Sequence, residues 1–134
     1  MSSPIVIDTR FFIEYLFSSD KNTRERAIRR IKELIKRKTG IVPTIVVSEL
    51  TKFICQYKGI DDAKVIVYTL IVPNFDIVDV DASIAIHAGI LKCKNPNVPI
   101  GDCIIGAIAK KYNAKVLTDD PHFKEDLKIE TIWI

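Results

Sequence analysis

The chain has 134 residues and a mass of 15.2 kDa, enough for one domain of ordinary size and too little for two. A composition of 48% hydrophobic and 28% charged residues excludes a disordered or collagen-like polypeptide. Lys plus Arg total 20 against 17 Asp plus Glu, so the net charge of +3 does not mark a strongly basic nucleic-acid binder, and it leaves an acidic site open.

Taken in chain order, Ile5-Val6-Ile7 is a short β-branched run that predicts a buried strand ending at Asp8. The following Phe11, Phe12, Tyr15, Leu16 and Phe17 form a dense aromatic patch, most of it expected in the core. Asn22 and Glu25 have capping-box spacing; Ala27, Ile28, Ile31, Leu34 and Ile35 then recur at helical intervals, and Thr39-Gly40 closes the helix. Ile41 to Ile45 reads as a second strand, with Pro43 requiring an end or edge position. A helix carrying Val46, Leu50, Phe53, Ile54 and Tyr57 stops at Gly59, and another runs from Asp61-Asp62 through Val65, Tyr68, Ile71 and Val72 to Pro73.

Phe75 to Val80 predicts a third strand. Asp81 caps a helix with Ile84, Ala85, Ala88 and Leu91 that ends at Asn95-Pro96-Asn97. Gly101-Asp102 opens a further helix with Ile104, Ile105, Ile108 and Ala109 inward, and strands are expected at Lys115–Thr118 and 129–134. Strands alternating with helices predict an α/β fold, a three-layer αβα arrangement around a mainly parallel, roughly five-stranded sheet. Without a linker, a repeat or a low-complexity stretch, residues 1–134 read as a single domain.

The N-terminal Met-Ser-Ser-Pro-Ile-Val-Ile-Asp lacks a basic segment followed by a long apolar one, so no signal peptide is expected. No apolar run reaches membrane-spanning length, so no membrane partner is expected either. Cys55, Cys93 and Cys103 form no CxxC pair; an odd, sparse set fits a reduced cytoplasmic setting, each thiol acting as a small buried hydrophobe.

Open parallel sheets bind ligands beyond the carboxyl ends of their strands. Asp8 ends the first strand, Glu49 begins the helix after the second, Asp102 opens the helix before the fourth, and Asp119-Asp120 follow the fourth. Each acid alone has an ordinary explanation as a helix cap, a turn residue or a solvated first-turn acid. As a set they place carboxylates from separated segments on one rim, where mutual repulsion calls for a hard divalent cation.

The segments I-V-I-D-T-R-F-F (5–12), V-V-S-E-L (46–50), P-I-G-D-C-I-I-G-A-I-A (99–109) and A-K-V-L-T-D-D-P-H-F (114–123) resemble those of PIN domains, and within that superfamily VapC-type toxins of prokaryotic toxin–antitoxin pairs. The resemblance spans essentially the whole chain. It implies an RNA-cleaving endoribonuclease dependent on Mg2+ or Mn2+, a homodimer and a small antitoxin partner. By position, Asp8, Asp102 and Asp120 match the metal-binding acids and Glu49 the acid that supports the site; these four are the candidate catalytic residues. Gly106, one turn beyond Asp102, matches a close-packing position. Asp119 competes with Asp120 for the metal-facing role, and Thr118, Thr9 and Ser48 are candidate hydroxyl neighbours.

An RNA substrate needs cations, because phosphate contacts dominate affinity. Arg10, beside Asp8, ranks first, followed by Lys110 and Lys124 (Lys111 adjoins Lys110). Arg24 to Lys38 carries eight basic residues against two acidic ones, leaving the rest of the chain with 12 basic and 15 acidic residues. That helix reads either as a solvated outer face or as an RNA surface. His87 and His122 are the only imidazoles; His87 is expected packed or half-exposed in mid-helix and His122 on a surface loop.

Four other readings remain. A non-catalytic PIN-fold RNA- or protein-binding module and an RNA-processing PIN nuclease without an antitoxin share the fold. A phosphatase of the haloacid dehalogenase type would want an Asp where Arg10 stands, and a receiver domain would want a Lys at the end of the fourth strand.

Overall fold

A computed structural model describes residues 3–134, so Met1 and Ser2, at the start of the stretch read for a signal peptide, lie outside it. Five strands form one parallel sheet in the order β3-β2-β1-β4-β5: β1 Ile5–Ile7, β2 Gly40–Pro43, β3 Asp76–Val78, β4 Lys115–Leu117 and β5 Thr131–Ile132. Chain order runs outward from β1 to β3, then crosses to the other side of β1. The order therefore reverses between β1 and β4, which opens a crevice at their carboxyl ends. Right-handed crossovers put the connections on opposite faces of the sheet on either side of that reversal, and the expected αβα layering results.

The strands are short and buried on both faces. Val6, Ile7, Ile41, Val42, Val116 and Leu117 are each 4% exposed or less, so the sheet is the centre of the core. The expected strand segments are correct in place but long at their ends. Thr44 and Ile45 belong to the next helix, because Pro43 lacks the N–H to continue a ladder and its φ of −63° suits a helix entry. It stands last in β2, as its ring requires. Residues 129, 130, 133 and 134 flank β5 without joining it.

The aromatic patch after β1 is folded as helix α1 (Thr9–Phe17). Phe11 and Phe12 are wholly buried, and Phe17 reaches out to Phe53 at 5.3 Å between ring centroids. Helix α2 (Lys21–Arg37) is capped by Asp20 rather than started by an Asn22–Glu25 box: the Asp20 carboxylate accepts from Thr23 N at 3.1 Å and Thr23 Oγ1 at 2.6 Å. Lys38 ends it in the left-handed region (φ 55°), while Gly40 is already in β2. What requires glycine at position 40 is space, since a Cβ there would stand 2.6 Å from Cδ1 of the buried Phe75.

Helices α3 (Thr44–Lys58) and α4 (Ile60–Ile66) follow, the latter widening into a π-helical turn at Val67–Ile71. The apolar residues of this region divide: Ala63, Val67 and Ile71 are buried, whereas Val65, Tyr68 and Val72 are 59%, 69% and 43% exposed. Tyr57, expected inward on α3, is also exposed. Asp81 caps α5 (Ala82–Lys94) as its position predicts, accepting from Ile84 N at 2.9 Å. Helix α6 (Ile100–Tyr112) packs on α5, β1 and β4. Its Gly106 makes room for the segment that leads into β5, for a Cβ would meet Leu127 Cδ1 at 2.9 Å and Ile129 Cδ1 at 3.2 Å. A short α7 (Pro121–Glu125) precedes β5. Of the three free thiols only Cys103 is buried; Cys55 is half-buried and Cys93 is exposed, which corrects the expectation for that residue. No helix among the described residues is long and apolar enough to cross a membrane.

Candidate active site

The crevice at the sheet reversal is occupied by acids. Asp8 directly follows β1, and burial leaves it 3% exposed. Its N–H donates to Leu117 O at 3.2 Å, and its Oδ2 accepts from Thr118 Oγ1 at 2.7 Å, so the ends of β1 and β4 are joined through this one residue. The Thr118 hydroxyl also accepts from Asp120 N at 3.0 Å and so sets the turn that carries Asp120. On the next residue of α1, the Thr9 hydroxyl donates to Glu49 Oε1 at 2.8 Å, which anchors α3 to the end of β1. Both threonines are buried, and each holds a carboxylate, as expected. Ser48 does not join them: it is exposed on the outer side of α3, with its neighbour Glu49 turned inward.

Asp102 lies in the first turn of α6 without capping it; Pro99 holds the cap position and no side chain bonds there. The ordinary explanation of Asp102 as a helix cap is therefore removed. A Cβ on the preceding Gly101 would stand 3.4 Å from Glu49 Oε2, which shows how closely α3 and α6 meet. Asp120 serves twice, lining the cleft while its Oδ1 accepts from His122 N at 3.0 Å as the cap of α7. The cleft, about 260 Å³, is bordered by Asp8, Glu49, Asp102 and Asp120, with Arg10 and Lys52 as its cations.

The four acids act on one another. Burial, more than any other influence, pushes the Asp8 carboxyl up to about 6, with the charges of Glu49 and Asp120 adding to the rise; the Thr118 hydroxyl and the Thr9 amide oppose it. Asp102 is pushed up to about 7, first by desolvation and then by repulsion from Asp8, Asp120 and Glu49. Carboxylates stay this close only where something compensates their charge, and the side chains supply little of it. The Arg10 guanidinium pairs through Nε with Asp119 Oδ1 instead. The neighbouring acids part company here: Asp119 is exposed and holds Arg10, whereas Asp120 borders the cleft.

Two of the candidate cations lie elsewhere. Lys110 sits eight residues beyond Asp102 on α6, about 12 Å along the axis, and borders the hollow between α5 and α6 with His87 and Lys111. His87 is exposed there, more open than mid-helix packing suggests. Lys124 is exposed on α7 and does not border the cleft. His122 donates from Nδ1 to Asp126 Oδ2 at 2.8 Å, and this bond raises its pKa. Lys52, Ile13 and Phe53 do border the cleft and were not singled out from sequence. The signal for Lys52 was its spacing, three residues after Glu49 and so on the same side of a helix.

The set is chemically selective. All the donors are oxygens, with no Cys or imidazole at the centre, which suits a hard divalent cation that takes two or three carboxylates and keeps its remaining waters. Among the described residues no three His, Cys, Asp or Glu side chains are already gathered closely enough to hold a metal ion between them.

Comparison with known proteins agrees with the fold. The PIN domain family model matches residues 5–125, and no curated protein matches the sequence. Among solved structures, VapBC2 from Rickettsia felis, bound to a DNA fragment from its promoter, has a TM-score of 0.78 at 16% identity, covering 96% of this chain and 97% of that one. DNA-bound VapBC from Salmonella typhimurium gives 0.77 at 19% identity and 98% of both chains. VapC20 from Mycobacterium tuberculosis, described as a toxin that cleaves the sarcin–ricin loop, gives 0.68 at 15% identity, with 90% and 92% covered. Identities this low speak to fold alone, but the family match covers every strand except β5 together with all four cleft acids, and the chain belongs to the PIN domain family.

Proposed function

We propose that this protein is a Mg2+- or Mn2+-dependent endoribonuclease and the toxin of a toxin–antitoxin pair. The observation that carries the reading is the convergence of Asp8, Glu49, Asp102 and Asp120 on one cleft at the sheet reversal, where burial and repulsion raise Asp8 and Asp102 together. A divalent cation bound there supplies Lewis acidity toward a phosphoryl oxygen, a more acidic water, and charge compensation for the in-line transition state.

The residues divide the remaining work. Asp8 and Asp102 are the direct ligands, with Asp120 completing their side of the shell. Glu49, held through Oε1 by Thr9, turns its other oxygen toward α6 and orients a water. Thr118 fixes the Asp8 carboxylate so that no rotamer search is needed when cation and substrate arrive. Arg10 leaves the terminal nitrogens of its guanidinium available beside the cleft for a phosphate.

RNA as the substrate is supported by the sequence resemblance to VapC-type toxins and by the sarcin–ricin-loop cleavage of the VapC20 neighbour. An antitoxin partner is supported by the VapBC assemblies among the neighbours. The exposed Val65, Tyr68 and Val72 offer an apolar face for a homodimer. The test is cleavage of RNA with and without chelator, alongside calorimetric Mn2+ titration. Asp8→Asn and Asp102→Asn should each abolish cleavage and weaken Mn2+ binding; full chelator-sensitive activity in either variant would overturn the reading. RNA binding without any cleavage would indicate a non-catalytic PIN module instead.

A further inference from the structure

The basic face of α2 has no part in the cleft as described. At 3.6 residues per turn, Arg26, Arg29, Arg30 and Glu33 share one side of this helix, while Ala27, Ile31 and Leu34 enter the core. Neither Arg26 nor Arg29 has an ion-pair partner among the described residues, and Glu33 lies 4.0 Å from Arg37, so the face stays positive.

Contacts fix where this face lies. Thr118, whose hydroxyl holds Asp8, donates its N–H to Ile132 O at 3.0 Å. The next residue, Trp133, accepts from Arg30 Nη2 through its carbonyl at 3.0 Å and sets its ring edge-on to Phe11 at 6.4 Å. Arg26, Arg29, Arg30, Glu33 and Ile134 border a hollow of about 330 Å³, three cations against one acid. The step from β1 through β4 to β5 is two strand spacings, about 10 Å, and Ile134, which borders the hollow, follows β5 at its carboxyl end.

We infer that this hollow is a phosphate subsite for the RNA backbone, extending the substrate path from the acidic cleft across the carboxyl ends of β4 and β5. The inference rests on the nuclease reading of the cleft. Arginine suits the task, because its planar fork meets phosphate oxygens two at a time and it stays charged at every physiological pH. The acidic cleft repels a polyanion, and an adjoining basic track supplies the attraction that the cleft lacks. Arg10 borders the cleft and pairs with Asp119, just past β4.

The experiment is an anisotropy titration of a fluorescein-labelled single-stranded RNA of about 12 nucleotides, in chelator, over a salt series. Loss of two phosphate contacts in Arg26→Gln/Arg29→Gln should flatten the log–log salt slope by about 1.4 and weaken binding about 25-fold at 0.1 M salt. The cleavage rate at saturating RNA should be unchanged while KM rises. Lys32→Gln/Lys36→Gln removes the same charge from other positions of α2 and should have little effect. Wild-type affinity and slope in the arginine variant, or a loss no greater than in the lysine control, would overturn the subsite with cleavage intact; the patch would then face a protein partner or solvent. Absence of RNA binding by the wild-type protein would overturn it as well. Absence of wild-type cleavage with arginine-dependent RNA binding retained would instead refute the nuclease reading and leave the subsite standing.

Discussion

Removing the charge of Asp8 should stabilise the metal-free protein while destroying its function. The folded-state carboxyl lies at about 6 against an ordinary 3.8, so the native state holds a proton that the unfolded chain releases more readily. For an acid raised in this way there is no penalty below pH 4, where both states are protonated. Stability is then lost as pH rises, and the loss is complete above the folded value. The shift corresponds to about 3 kcal/mol at pH 8, of which about 1.4 kcal/mol develops between pH 5 and pH 8.

Asp8→Asn keeps the shape and an oxygen for the Thr118 hydroxyl, but removes the charge. A buried amide still loses some solvation, so the gain at pH 8 is about 1–3 kcal/mol, or about 4–10 °C in Tm for a chain of this length. Urea unfolding with EDTA at pH 5 and pH 8 measures both quantities. The wild-type protein should be more stable at pH 5, and the variant should show a smaller pH dependence. Raised values at Asp102 and His122 act in the same direction, so the wild-type difference should exceed the Asp8 share. Saturating Mn2+ should stabilise the wild-type protein at pH 8 and leave the variant nearly unmoved. A variant no more stable than the wild type at pH 8, or a wild type less stable at pH 5 than at pH 8, would refute the account of Asp8 as a buried, electrostatically strained carboxylate.

Thr118→Val removes a hydroxyl that holds both Asp8 Oδ2 and Asp120 N; Mn2+ affinity by calorimetry should fall about 10-fold or more, with the far-ultraviolet circular dichroism unchanged. Gly40→Ala forces a methyl against the Phe75 ring and should cost about 1–3 kcal/mol in urea unfolding at any pH, without altering metal affinity. Asp81→Ala deletes the cap of α5 and should cost about 1 kcal/mol by the same assay. Lys52→Ala should weaken RNA binding and flatten its salt slope by about 0.7, if this side chain meets one phosphate at the cleft.

The sequence alone was sufficient for the alternation of strands and helices, because β-branched runs such as Ile5-Val6-Ile7 and the 3.6-residue recurrence of Ala27, Ile31 and Leu34 are local signals of what will be buried. It also placed Asp8, Asp102 and Asp120 at the ends of elements; Glu49, expected in the first turn of its helix, lies in the second, because α3 begins already at Thr44. Boundaries were less legible. Whether α1 forms around the buried Phe11 and Phe12 depends on packing partners far away in the chain. Three matters belonged to the tertiary structure. Adjacent Asp119 and Asp120 are equivalent in composition, and only the turn held by Thr118 sends one to Arg10 and the other to the cleft. Lys110 and Lys52 are equally basic, but Lys110 stands two turns along α6 from the acids, whereas Lys52 shares the side of α3 that carries Glu49. The near-neutral sum of 20 basic and 17 acidic residues says nothing of where they lie. The fold separates them, with acids raised together at the β1–β4 crevice and arginines exposed along α2, because charge interactions depend on distance and desolvation, which a count of residues does not contain.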